Sequence, residues 1–222
     1  MDPRISVNKL GEYMTATPAR RRQIVRDQKH VPAVKAVRYQ YAREAISGLI
    51  ASGLADGARA HGIAQALRRE AGGSEFEAQD RAHSADAIDS FVELSAGLDL
   101  ESLVPIAADA RCSDAIELAG VRVVARPDAL LLDPQSGEAV GCVKLHFSKS
   151  QPLDEKGANY VAAALQAHLE RKLSAPGRVQ PSRCYVVDIA TRKIYTAPKA
   201  NKRRLDGLTA ACAEIKDRWD RL

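Results

Sequence analysis

Cysteine is scarce and poorly spaced for metal in this chain of 222 residues. Cys112, Cys142, Cys184 and Cys212 lie roughly thirty or more residues apart and form no C-x-x-C pair, so zinc ribbons and dithiol redox motifs are excluded. Long apolar runs are missing too. No stretch approaches the eighteen apolar residues of a membrane span, and none follows Met1-Asp2-Pro3 to make a signal peptide. The expectation is a reduced, cytoplasmic protein with no membrane contact. Internal repeats and low-complexity tracts are also absent. With 45% hydrophobic and 27% charged residues, the chain has ordinary globular composition, enough for one domain with a helical appendage.

Charge is plentiful but unevenly placed. The net charge is +5 with a pI near 9.1. From Arg20 to Arg43 there are eight basic residues (Arg20, Arg21, Arg22, Arg26, Lys29, Lys35, Arg38, Arg43) against one acid, Asp27. Glu70 to Glu117 reverses this, with twelve acids against Arg81 and Arg111. Arg192 to Arg204 adds six basic residues and no acid. If the two basic blocks meet in space they form a phosphate-binding surface; otherwise they are separate solvated helix faces.

The first half reads as helices. Ser6 caps a short helix carrying Leu10 and Tyr13, and Thr17-Pro18 supplies an N-cap with proline at N1 for a helix from Ala19 to about Lys29. His30-Val31-Pro32 interrupts it. A helix over about 33–52 places Val34, Val37, Tyr41, Ala45, Ile46 and Leu49 on one stripe. Another covers roughly Gly57 to Arg69, Ala71-Gly72-Gly73-Ser74 is a linker, and Ser84 to Leu98 is an acidic amphipathic helix.

The second half changes period. Val121 to Arg126, Ala129 to Leu132 and Ala139 to Ser148 read as strands, with turn chemistry at Asp133-Pro134-Gln135-Ser136-Gly137. Asp154 to Leu173 is helical, Cys184 to Ala190 is a strand buried on both faces, and a basic helix runs from about Asn201 to Leu222. The fold class expected is α/β, a mixed sheet with flanking helices, preceded by a helical N-terminal region.

Helix, three strands, helix, strand, with Pro127-Asp128 at the second strand and Cys142-Val143-Lys144 on the third, resembles the PD-(D/E)XK phosphodiesterase superfamily of restriction and recombination nucleases. The resemblance spans roughly 84–197 and implies a nuclease-like αβββαβ core. The linker at Ala71–Ser74 and the change of period divide the chain into a basic helical region over 1–75 and a core over 76–222 ending in the basic helix. By that resemblance Asp128 matches the metal-binding aspartate and Lys144 the lysine that stabilises developing charge. Glu93 resembles an extra acid supplied by the first core helix, so that Asp128 and Glu93 would hold Mg2+. The departure is Cys142. The family pattern has Asp or Glu there, and a thiol does not replace a carboxylate as a hard oxygen ligand; the cofactor is therefore magnesium or none.

Each candidate has a plainer reading beside it. Pro-Asp is common in turns, where the carboxylate caps backbone N–H groups. Tyr160 is a packed aromatic or, with Gln166, a substrate neighbour; His146 is structural or a substrate contact; Lys149 reaches phosphate or merely ends the strand. Nucleic acid, expected to be DNA, would be held by Arg20, Arg21, Arg22, Arg26, Lys35, Arg38, Lys149, Lys202, Arg203 and Arg204. The chain is then a metal-dependent nuclease, or a degenerate relative in which Asp128 and Lys144 persist as a buried ion pair while a partner does the chemistry. The sequence also resembles small bacterial proteins of mobile elements and phage-defence loci. The competing reading is a non-enzymatic assembly subunit, binding a partner protein or a second copy through its segregated charge. A helix-turn-helix regulator in residues 1–60 ranks third, because the His30-Val31-Pro32 break suits no tight turn.

Overall fold

A computed structural model describes residues 2–30, 38–108, 115–172, 175 and 177–222. Lys35, Val34, Val37 and Cys112 lie outside the described residues. The described chain forms, in order, β1 (Arg4–Ser6), α1 (Val7–Thr15), α2 (Pro18–Lys29), α3 (Gln40–Ala51), α4 (Gly57–Arg69) and α5 (Glu75–Leu94). These are followed by β2 (Val104–Ala107), β3 (Ala115–Leu118), β4 (Val121–Val124), β5 (Ala129–Leu132), β6 (Ala139–His146), α6 (Glu155–Lys172), β7 (Cys184–Asp188), β8 (Lys193–Thr196) and α7 (Lys202–Arg221). It is a mixed α/β fold with flanking helices, as the periodicity predicts.

Local chemistry starts the helices where expected. Ser6 and Thr17 accept from the N–H groups of Lys9 and Arg20 and so cap α1 and α2. α5 begins earlier than its apolar stripe suggests. Ser74 and Glu77 form a reciprocal capping box that carries the helix back to Glu75.

Five strands make the main sheet, in the order β2-β5-β6-β7-β8. β2 runs antiparallel to β5, β5 antiparallel to β6, β6 parallel to β7 and β7 antiparallel to β8. The parallel step is the one that α6 bridges, as a parallel pair requires a long crossover. The strand beside β5 is β2, not Val121–Val124. That run pairs with β1 and β3 in a separate three-stranded sheet of order β1-β4-β3. β2 is short, and its alternation is broken by Pro105, which hides it from pattern reading.

Every residue of β6 is buried, so it is the central strand with both faces covered. Cys142 joins Leu130, Cys184 and Val186 in one apolar cluster, together with residues of α1, α2, α6 and α7. Val143, Leu145 and Phe147 join the other, with Ile46 and Leu49 of α3, Leu67 of α4, and Ile88 and Phe91 of α5. This is the two-residue strand period realised as two cores.

The segment before residue 75 does not stand apart from the rest. β1 completes the small sheet beside β4, α3 and α4 cover one face of the main sheet, and α1 crosses α6 closely. At that crossing Gly11 is obligatory: a Cβ there would collide with Val161 Cγ2 and lie 2.8 Å from the Gly157 carbonyl oxygen. The Ala71–Ser74 link is a turn between two packed helices, because Leu67 and Ile88 bury their apolar stripes in one cluster.

Candidate functional site

Asp128 immediately precedes β5, beside the second half of β6. Its backbone N–H donates to the Val143 carbonyl at 2.8 Å, and its carbonyl accepts from Ala108 N–H at 3.1 Å. Beyond Asp128 lies Pro127, which has no N–H to extend the ladder. Leu145 therefore needs partners from elsewhere. Its N–H donates to Asp128 Oδ2 at 2.8 Å, and its carbonyl accepts from Asn8 Nδ2 at 3.0 Å. The Pro-Asp pair thus ends one strand and caps its neighbour.

The same carboxylate is the anion of an ion cluster. Lys144 Nζ lies 2.8 Å from Oδ2, and Arg43 Nη1 donates to Oδ1. The Asp128 side chain is 3% exposed and that of Lys144 9%, whereas that of Arg43 is 40% exposed. Arg43 therefore closes the cluster on its solvent side. Its guanidinium carbon sits 5.1 Å from the Phe147 ring centre, and Phe147 stacks on Tyr39 at 5.0 Å. Tyr39 is held in a left-handed conformation, φ 61°, with its N–H donating to Asp80 Oδ1 at 3.0 Å. Arg43 is thus set by a packed aromatic column.

Two cations share one anion here, and the surplus shows in Lys144. Burial pushes its ammonium well below the ordinary lysine range, and Arg43 and Arg126 push the same way. The Asp128 carboxylate is divided between the two cations, Lys144 at Oδ2 and Arg43 at Oδ1. Arg43 is also lowered, first by burial and then by Arg126.

Cys142 sits on the same strand face as Lys144, two residues earlier, but fully inside the apolar cluster. Its thiol pairs with that of Cys184, its neighbour across the parallel ladder. That hydrogen bond and burial raise Cys142 well above the ordinary thiol range. The Cys142 sulfur is therefore held as a neutral thiol rather than a thiolate ligand.

Glu93 goes elsewhere. Its Oε2 pairs with Arg192 Nη1 at 2.7 Å, and its side chain is 61% exposed, so it joins none of the groups that contact Asp128. Among the described residues, no three His, Cys, Asp or Glu side chains gather closely enough to hold a metal ion. The donors at Asp128 do not fit Mg2+: the one carboxylate present is met by an ammonium, a guanidinium and an N–H, and Cys142, where the resemblance expects an acid, is a buried thiol.

The other candidates have settled places. His146 hydrogen-bonds the Gln151 carbonyl through Nε2 at 2.8 Å, and burial lowers its pKa. The Tyr160 ring packs against the apolar cluster, and Gln166 bonds Glu170 and Asn201. Lys149 is exposed on the rim of a cleft of about 360 Å³, with Arg68, Arg192, Tyr39 and Phe147 among its walls.

The helices that carry the two basic blocks pack together, but the side-chain contacts fall at Glu214 and Trp219 in the second half of α7, not at Lys202–Arg204. α2 lies against α7: Arg21 reaches the Tyr13 carbonyl at 3.0 Å and Glu214 at 3.5 Å, and Lys29 donates to the Trp219 carbonyl at 2.7 Å. The start of α7 abuts the α1–α2 corner, since a Cβ at Gly207 would lie 3.6 Å from Met14 Cε. Arg20 is taken by the buried Glu12 at 2.6 Å, and Arg204 bonds the Ala200 carbonyl. Arg22 and Arg26 on α2, and Lys202 and Arg203 on α7, stay exposed. Arg38 stacks over Phe76 at 5.1 Å, on the other side of the molecule from these.

Arg43 is the site residue that pattern reading misses. It appears in the basic block but only as one charge on a helix, 85 positions from Asp128. The acidic segment likewise finds its partners within the fold: Asp86 and Asp89 with Arg68, Glu70 with Arg81, and Asp99 with Arg183.

No family model matches this chain, and no match is found among curated proteins or solved structures. Among the described residues, no helix is long and apolar enough to cross a membrane.

Proposed function

We propose that this chain is a nucleic-acid-binding protein on a PD-(D/E)XK nuclease-like core whose reaction centre is degenerate, so that a partner performs any cleavage. The observation that carries it is the closed cluster Arg43–Asp128–Lys144. The helix-strand order and the β2-β5-β6-β7 directions support reading Asp128 and Lys144 as counterparts of that superfamily's aspartate and lysine. Cys142, packed against Cys184, removes the second carboxylate. Phosphate contact is assigned to the exposed cations Arg22 and Arg26 on α2 and Lys202 and Arg203 on α7, with DNA as the expected ligand. A role in phage defence or on a mobile element fits a small protein of this kind working beside an enzyme.

The test uses labelled single- and double-stranded DNA and RNA with Mg2+ or Mn2+. Expected is salt-sensitive binding with no cleavage. Cleavage abolished by Asp128→Ala would instead make the protein a nuclease.

One observation favours the assembly-subunit reading: Tyr41 on α3 and Val104 and Ile106 on the edge strand β2 are large, apolar and exposed, on two elements that touch. Sizing would then give oligomers and no nucleic acid would shift. The paired acids of the Glu70–Glu117 segment speak against charge as the glue.

A further inference from the structure

A carboxylate buried at the edge of a sheet needs a cation, and a phosphodiesterase of this class meets that need with a divalent metal. Here the need is met from within the chain. Asp128 Oδ2 takes the Lys144 ammonium at 2.8 Å and the Leu145 N–H at 2.8 Å. Oδ1 remains, facing the solvent side, and Arg43 takes it. We infer that Arg43 occupies the place of the divalent cation at Asp128, as a tethered charge that makes this site independent of metal.

Three features support that role over incidental pairing. The guanidinium is fixed from behind, over Phe147, which is itself stacked on Tyr39. It comes from α3, a helix outside the αβββαβ core, so the segment that supplies it is an addition to that core. It is also the one member of the cluster with a large exposed fraction, as expected of a group standing where an ion would enter from water. Arginine suits the position because its fixed charge and planar fork match a carboxylate, whereas a second lysine would release its proton under burial.

The consequence is an interchange. If Arg43 stands where a cation belongs, removing its charge and offering oxygen instead should let a divalent ion in. Arg43→Glu would set two carboxylates beside each other at Asp128, the beginning of a hard-cation site. This role rests on the kinship proposed above, but its readout needs no nucleic acid, so either can fail alone.

The experiment is thermal unfolding of the full chain with EDTA, Mg2+ or Mn2+, each matched in ionic strength with NaCl. The wild type is expected to show the same Tm in all of them. Arg43→Glu is expected to unfold at lower temperature in EDTA and to regain several degrees with Mn2+ but not with NaCl, and Asp128→Asn in that background is expected to abolish the gain. Should Arg43→Glu fail to fold, Arg43→Gln, which keeps the length and vacates Oδ1, is read by Mn2+ broadening of NMR signals from residues around Asp128. A wild-type Mn2+ response that Asp128→Asn removes would overturn the assignment. So would an Arg43→Glu protein stabilised equally by NaCl, or an Arg43→Gln protein with no broadening near Asp128.

Discussion

Lys144 and Arg22 carry the same charge under opposite conditions. Around Asp128 a buried lysine and a partly exposed arginine are ordered and answered by one carboxylate. Along α2 and the start of α7 the cations stand in water with few partners. Burial makes the first group a question of stability and leaves the second free to meet phosphate. Within the basic block the division runs residue by residue: Arg20 is committed to Glu12 and Lys29 to the Trp219 carbonyl, while Arg22 and Arg26 are not so held.

The sharpest way to break this comparison is to put a charge where none is answered. Cys142→Asp supplies the acid that the nuclease resemblance expects but buries it among Leu130, Cys184 and Val186. It should destabilise the fold by more than about 4 kcal/mol rather than confer cleavage, as burial of an unpaired charge does. Urea unfolding and a nuclease assay check both halves. Asp128→Asn comes next. It removes the anion from Arg43 and Lys144 and should cost about 3–5 kcal/mol, the penalty of orphaning a buried ion partner.

Lys144→Met tests the surplus charge through pH. The unfolded chain keeps this proton up to about pH 10.4. In the fold burial makes Lys144 release it earlier. Between those points the unfolded state holds more protons, so stability rises with pH. The wild type should therefore gain on Lys144→Met as pH climbs toward about 10, the unfolded-state lysine value. Taking the difference cancels Tyr13 and Cys212, both raised to about 12, chiefly by burial, which act in the opposite sense.

The exposed cations should behave otherwise. Arg22→Ala with Arg26→Ala should leave stability within about 0.5 kcal/mol. It should weaken DNA binding and lower the salt slope by about 1 for each phosphate no longer neutralised, seen by titration at several salt concentrations. The smallest effect belongs to Glu93→Gln, on a solvated pair with Arg192: under about 0.5 kcal/mol in unfolding and no change in any response to Mg2+.

Much of the fold is legible in the residues because it is local. Thr17-Pro18 caps α2, and Ala129–Leu132 is a strand within its predicted bounds. The alternation of Cys142 and Lys144 with Val143 and Leu145 divides β6 between two cores. What escapes is nonlocal. β2 escapes because Pro105 breaks its pattern, and β1 because three residues carry no period at all. The resemblance puts Glu93 at Asp128, but α5 presents it to water and Arg192. Spacing along a helix fixes a face, not its distance from another element.

By itself the sequence determined an α/β chain with a Pro-Asp strand end, a lysine on the neighbouring strand and, two residues before that lysine, a thiol, which is no hard-cation ligand. Those follow from side-chain period, turn chemistry and ligand hardness, which act over a few residues. Only the tertiary structure decided what Asp128 faces. Arg43 reaches it from 85 positions away because α3 buries its apolar stripe on the sheet face beneath, and that packing delivers a cation to the carboxylate.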